Sequence, residues 1–425
     1  MLGGVAVIDI TPPAGLLMSG FAARSRGAVA AHDRLSVRAI VLDDTALLVC
    51  DVIGLHEDMS ARIRKRACLP EDNIVITALH THGAPASMKG RLGEPCDHTF
   101  LETLEQACVD AIQLALDNAR SCTLVSGSGL PPGIARNRRD PDGEVDDQLP
   151  TLQLLDLQGM PFAMLVSYAC HPVVLGADNL HYTADYPHYV RQHIEELLPG
   201  CTAVFALGAA GDINSGHSAQ SSISLTAQAD RTFEEAERIG VHIAKCALRA
   251  DLQDAGGGAH MINGATALDF VRRETMSNAQ LIRLWQDKLR NADPARANLL
   301  HHWIQWAEQD PSAPLTPWPA RTSLVYWGRI SLIALPGEQF ATVAIQLRKL
   351  LQELTGRSEV SFVLPYAEGN PGYICPDDAF DQGGYEPDEA HRYYGQPASF
   401  APGSVDRLLN TVRLLLKSYP SLQQP

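Results

Sequence analysis

Five apolar, β-rich runs divide this chain, at Ala46 to Val52, Asn73 to Leu79, Thr151 to Leu157, Phe162 to Tyr168 and Thr202 to Leu207. Helical patterns lie between some of them. Phe100 to Ala119 carries Leu101, Leu104, Ala107, Cys108, Ala111 and Leu114 at three- and four-residue steps, which is helix periodicity. Phe233 to Leu248 and Ile345 to Leu354 read the same way, and Ser331 to Leu335 is a further strand followed by a turn and a helix. Strands interleaved with helices predict an α/β fold: a layered mixed-sheet core with flanking helices. In such a fold the chemistry sits at the carboxyl ends of strands.

The 425 residues can bury a large core. They read as one domain over 1–425 with an insertion or subdomain around 255–320, where Ala255 to Gly258 breaks the pattern and Asn278 to Trp306 is helical and rich in Trp. Gly129 to Asp147, rich in Pro, Gly, Arg and Asp, is a long loop, and long loops in compact domains are commonly functional or disordered. The net charge of −15, from 34 basic and 49 acidic residues, disfavours nucleic acid and anionic membrane surfaces as partners. No run is long enough and uncharged enough to span a bilayer. Met1 to Asp9 has no basic start and reads as a first strand, not a signal peptide. Nine cysteines, none in a Cys-x-x-Cys pair, fit reduced thiols. These features predict a cytoplasmic protein.

Five local clusters could carry chemistry. His80-Thr81-His82-Gly83 directly follows an apolar strand, and alternation along a strand would put both imidazoles on one face. Neutral imidazole is the commonest metal ligand and titrates near neutrality. Cys170-His171-Pro172 is a second His just past a strand. Thr183-Ala184-Asp185-Tyr186 and Gly208-Ala209-Ala210-Gly211-Asp212-Ile213-Asn214 are the third and fourth, and Pro336-Gly337-Glu338 is the fifth. Two His and one carboxylate make a common catalytic zinc set with a position open for water. Spacing alone leaves open whether these residues converge, since none forms a compact motif on one helix.

Together, and in chain order, these segments resemble the catalytic domain of the neutral/alkaline, non-lysosomal ceramidase family. Val7-Ile8-Asp9-Ile10-Thr11-Pro12-Pro13 and Met18-Ser19-Gly20-Phe21 are similar to its opening. His80-Thr81-His82-Gly83-Ala84-Pro85 is similar to its His-Thr-His-Ser-Gly-Pro strand end, and Cys170-His171-Pro172 to its second His site. Gly211-Asp212-Ile213-Asn214, Pro336-Gly337-Glu338, and Gly372-Tyr373-Ile374-Cys375-Pro376 with Gly384-Tyr385-Glu386 complete the match. The resemblance implies a Zn2+ site of His80, His171, Glu338 and Tyr373, with His82 beside it handling a proton. It also implies that Arg138 contacts substrate. Asp212 or Asp185 are alternative proton carriers, and Asn214 could donate to an oxyanion.

Two departures from the family pattern bear on the substrate. Asn214 stands where the family has Ser, and Ser215 is one position late, a shift that reverses side-chain direction in an extended segment. The chain is also expected to be a short, divergent member without the family's C-terminal β-sandwich. The expected activity is zinc-dependent hydrolysis of an amide or ester bond in a small polar substrate. A metal-dependent lyase or isomerase, or a non-catalytic metal-binding protein, are the alternatives on the same scaffold.

Overall fold

The computed structural model describes residues 1–93, 95–217, 225, 228–309, 314–356 and 360–418. Its centre is three sheets. The first has the order Ile74–Ala78, Thr45–Cys50, Ser36–Leu42, Leu2–Asp9, Arg120–Ser121. The second runs Thr202–Leu207, Pro161–Tyr168, Pro150–Leu155, Thr123–Ser128, Gln253–Asp254. The third runs Ala259–Leu268, Trp318–Trp327, Ile330–Ala334, Ser361–Leu364. Each mixes both pairings and contains a parallel pair: Thr45–Cys50 with Ile74–Ala78, Pro161–Tyr168 with Thr202–Leu207, and Ile330–Ala334 with Ser361–Leu364.

Parallel pairing has a direct consequence for the site. Neighbouring parallel strands end at the same edge, so the loops leaving them open side by side. The loops after Ile74–Ala78, after Pro161–Tyr168 and Thr202–Leu207, and after Ile330–Ala334 carry the candidate residues. The strands themselves are buried over nearly their whole length, for example all five residues of Ile74–Ala78 and of Ile330–Ala334. That fits their continuous apolar sequence.

The helices flank these sheets. His98–Asp117 is capped by Asp97, whose carboxylate accepts from the N–H of Phe100 at 2.8 Å, and it packs on Leu2–Asp9 and Ser36–Leu42 with Phe100, Leu104, Ala107, Ala111 and Ala115 buried. Tyr186–Leu197 and Phe233–Ala247 pack on each other. One apolar core joins the first two sheets, and a second gathers the third sheet with Ala341–Thr355 and Ser404–Ser418. The expected helical stretch from Asn278 is a hairpin, Asn278–Leu289 and Pro294–Ala307. It breaks where Asp293 caps the second helix through the N–H of Arg296 and Pro294 takes its first turn. Its own small core centres on Trp285, Leu300, Trp303 and Trp306. Residues 310–313, also within 255–320, lie outside the described residues.

Candidate metal centre

The first imidazole is placed by backbone, not by strand alternation. The strand ends at Ala78, and His80 adopts φ +62°, in the left-handed region that side chains with a Cβ rarely enter. Its N–H donates to the carbonyl of Val52 at 2.9 Å, and its Nδ1 lies 2.6 Å from the carbonyl oxygen of Ile53. The two rings of the His80/His82 pair still converge, with centroids 5.2 Å apart, but they do so through this turn and not through a period of two.

His171 is held in the same manner by the neighbouring sheet. Its N–H donates to Ile213 at 3.0 Å, and its Nδ1 is 3.0 Å from the carbonyl oxygen of Ala210. A carbonyl oxygen only accepts, so Nδ1 of His80 and of His171 carries a proton, and in the neutral ring the lone pair is then on Nε2. That is the tautomer metal ligation requires, fixed by backbone carbonyls behind the rings. The two ring centroids are 4.5 Å apart, and that of His82 is 5.3 Å from His171. Among the described residues, a ligand atom from each of His80, His82 and His171 lies within 4.8 Å of the other two, a group that could hold a metal ion.

The third sheet supplies the carboxylate. Glu338–Gln339 is a short strand paired in parallel with Tyr373–Ile374, and Glu338 is in register with Tyr373. Glu338 is fully buried, with Oε2 3.4 Å from Nε2 of His80 and 4.0 Å from Nε2 of His171. Tyr394 donates its phenol to Oε1, while Oε2 has no hydrogen-bond partner. Both nitrogens of His82 are likewise buried without a partner. Burial, reinforced by the neighbouring His80, pushes the pKa of both His82 and His171 well below the usual range, so both rings are neutral. A buried carboxylate oxygen without a hydrogen-bond partner, facing the Nε2 atoms of two imidazoles, is an arrangement that a divalent cation completes.

Arg138 and Tyr373 line the same cavity. Arg138 donates through Nη2 to the Tyr373 phenol at 3.0 Å and to the carbonyl of Gly211 at 2.7 Å, and through Nε to Glu386 at 3.0 Å. Burial works against its charge, but Tyr373 and Glu386 outweigh that and raise its pKa. Burial raises the Tyr373 phenol, and Arg138 opposes the rise. Arg139 also pairs with the buried Glu386, whereas Arg136 is exposed and donates to the carbonyls of Gly133 and Ala135.

No protein-family model matches the sequence. Among solved structures, neutral ceramidase from Pseudomonas aeruginosa matches with a TM-score of 0.72 at 16% identity, covering 98% of this chain and 74% of that one. A ceramidase complexed with C2 matches at 0.73 and 15% identity, again over 98% of this chain and 75% of the other. The fold is that of neutral ceramidase. The likeness that the short motifs suggested therefore extends, as architecture, along almost the whole chain.

Three positions behave differently from simple expectation on this ceramidase fold. Asn214 lines the cavity, but its side chain closes its own turn: Oδ1 accepts from the N–H groups of Gly216 and His217 at 2.8 and 2.9 Å, and Nδ2 donates to the carbonyl of His217 at 2.6 Å. Asp212 accepts from the first N–H of helix Ala341–Thr355 at 2.8 Å and from Asn137 at 2.8 Å, and burial pushes its pKa up to about 6. Asp185 accepts from the N–H groups of Val174, Leu175 and Tyr186. Asp185 thus braces the loop that follows His171, and Asp212 ties its own turn to the segments that carry Glu338 and Arg138. Sequence reasoning missed Tyr394 on Glu338, and Tyr366, whose ring stacks on His80 at 4.4 Å. It also missed a role for Gly20, where a Cβ would lie 2.4 Å from Nδ1 of His82. Tyr366 follows a buried strand as the histidines do, a signal available in the sequence; nothing local marks Tyr394.

Proposed function

We propose that this protein is a metal-dependent hydrolase of amide or ester bonds, with zinc held by His80, His171, Glu338 and Tyr373. The observation that carries the reading is the buried, donorless Oε2 of Glu338 facing Nε2 of both His80 and His171. Zinc at such a set lowers the pKa of a bound water and polarises a carbonyl. The remaining work falls to this chain's own residues. His82, neutral and without another partner, takes the proton released as water adds to the substrate carbonyl. Arg138 fixes the Tyr373 phenol from behind and presents positive charge where negative charge develops on the carbonyl oxygen. The amide of Asn214, committed to its own turn, is no nucleophile, so the reading is direct attack by water with no acyl-enzyme.

That same commitment keeps a lyase or isomerase reading in play, since no serine stands in the motif position. Turnover of a panel of N-acyl and O-acyl compounds in oxygen-18 water distinguishes the two. Label in the released acid, abolished by chelation and restored by zinc, is the expected outcome. Turnover without label incorporation favours the second reading, and full activity after chelation rules out both.

A further inference from the structure

The helical hairpin Asn278–Ala307 is not part of any sheet, yet its second helix reaches the metal-site cavity. Leu299 and Trp303, four residues apart and therefore on one face, line that cavity opposite His82, His171 and Tyr373, together with Tyr393. The cavity measures about 70 Å³. Pockets that take drug-sized ligands run to roughly 300–1,000 Å³, so this one admits only a compact group. The wall is firmly seated. Trp303 packs on Trp285 at 5.3 Å between centroids and under the guanidinium of Arg392 at 5.0 Å, and Leu299 and Trp303 are 3% and 4% exposed.

We infer that the Leu299–Trp303 face of this hairpin is the specificity wall of the site, selecting short acyl groups and excluding long alkyl chains. The inference rests on the hydrolase reading for its substrate class, but not for its geometry.

The test measures binding of acetohydroxamate and octanohydroxamate to the zinc-loaded full-length protein by calorimetry, which needs no turnover. In an open apolar pocket each added methylene would tighten binding about fourfold. The wall predicts the reverse: octanohydroxamate binds roughly tenfold or more weakly than acetohydroxamate, and Leu299→Ala removes most of that difference. Affinity that rises with chain length in the wild type, or a length preference unchanged in Leu299→Ala, overturns the wall. If the ladder behaves as expected while no acyl compound is hydrolysed, the hydrolase reading falls and the wall stands. Hydrolysis of long-chain and short-chain amides alike leaves the hydrolase standing and removes the wall, and no hydroxamate binding at all overturns both.

Discussion

The phenol of Tyr394 settles how Glu338 is oriented. It donates to Oε1, leaving Oε2 turned toward the two imidazoles. Groups that hold a metal ligand from behind typically contribute ten- to a hundredfold in metal affinity. Tyr394→Phe is therefore expected to weaken zinc binding by about that factor in a competition titration with a chromogenic chelator, while the far-ultraviolet circular dichroism stays unchanged. Unaltered affinity would show that Glu338 keeps its geometry without the phenol. His80 and His171 repeat the logic with backbone carbonyls as the partners behind the ring, which no side-chain substitution can remove. Gly20 makes the site intolerant of bulk, because its φ of +96° is open to glycine and its missing side chain leaves room for His82.

At the scale of elements, the loops are braced by carboxylates. Asp212 joins the turn behind His171 to the start of helix Ala341–Thr355, three residues after Glu338, and to Asn137 on the long loop that carries Arg138. Asp212→Ala should cost about 1–2 kcal/mol of stability, in the range of other lost helix N-caps, measured as a shift in the urea midpoint with the slope unchanged. No shift would mean that the turn stands without it. Much of this layer was legible in the sequence because the buried strands are continuous apolar runs and the long helices keep their period. Phe100 to Ala119 corresponds to the helix His98–Asp117, and Phe233 to Leu248 to Phe233–Ala247. The ten-residue strands Ala259–Leu268 and Trp318–Trp327 were not legible. The first buries only its two end residues fully and carries Asn263 and Gly264, and the second begins Trp-Pro, a pair that reads as a turn until its ladder partner is known. The His80/His82 pair was found for a reason the structure replaces, since its convergence comes from the left-handed backbone at His80. The Tyr394–Glu338 contact spans 56 residues and had no local signal.

Across the whole molecule, the candidate centre is where three sheets meet: His80 follows the first, His171 the second, Glu338 the third. A cation bound there ties together segments far apart in the chain, and a ligand that binds only the folded state adds about 2.7 kcal/mol of stability at a hundredfold excess over its Kd. Among the described residues no helix is long and apolar enough to cross a membrane, and the larger clefts, of about 260 Å³ beside Glu274 and about 420 Å³ beside Glu105, hold no comparable His group. The claim on which the functional reading depends is thus the metal itself. The most direct test is elemental analysis of the purified full-length protein, dialysed against trace zinc, beside His171→Ala handled identically. One tightly held divalent ion per chain in the wild type, with its loss in the variant, is the predicted result; a wild type that holds no metal, or a variant that holds as much, would contradict the account.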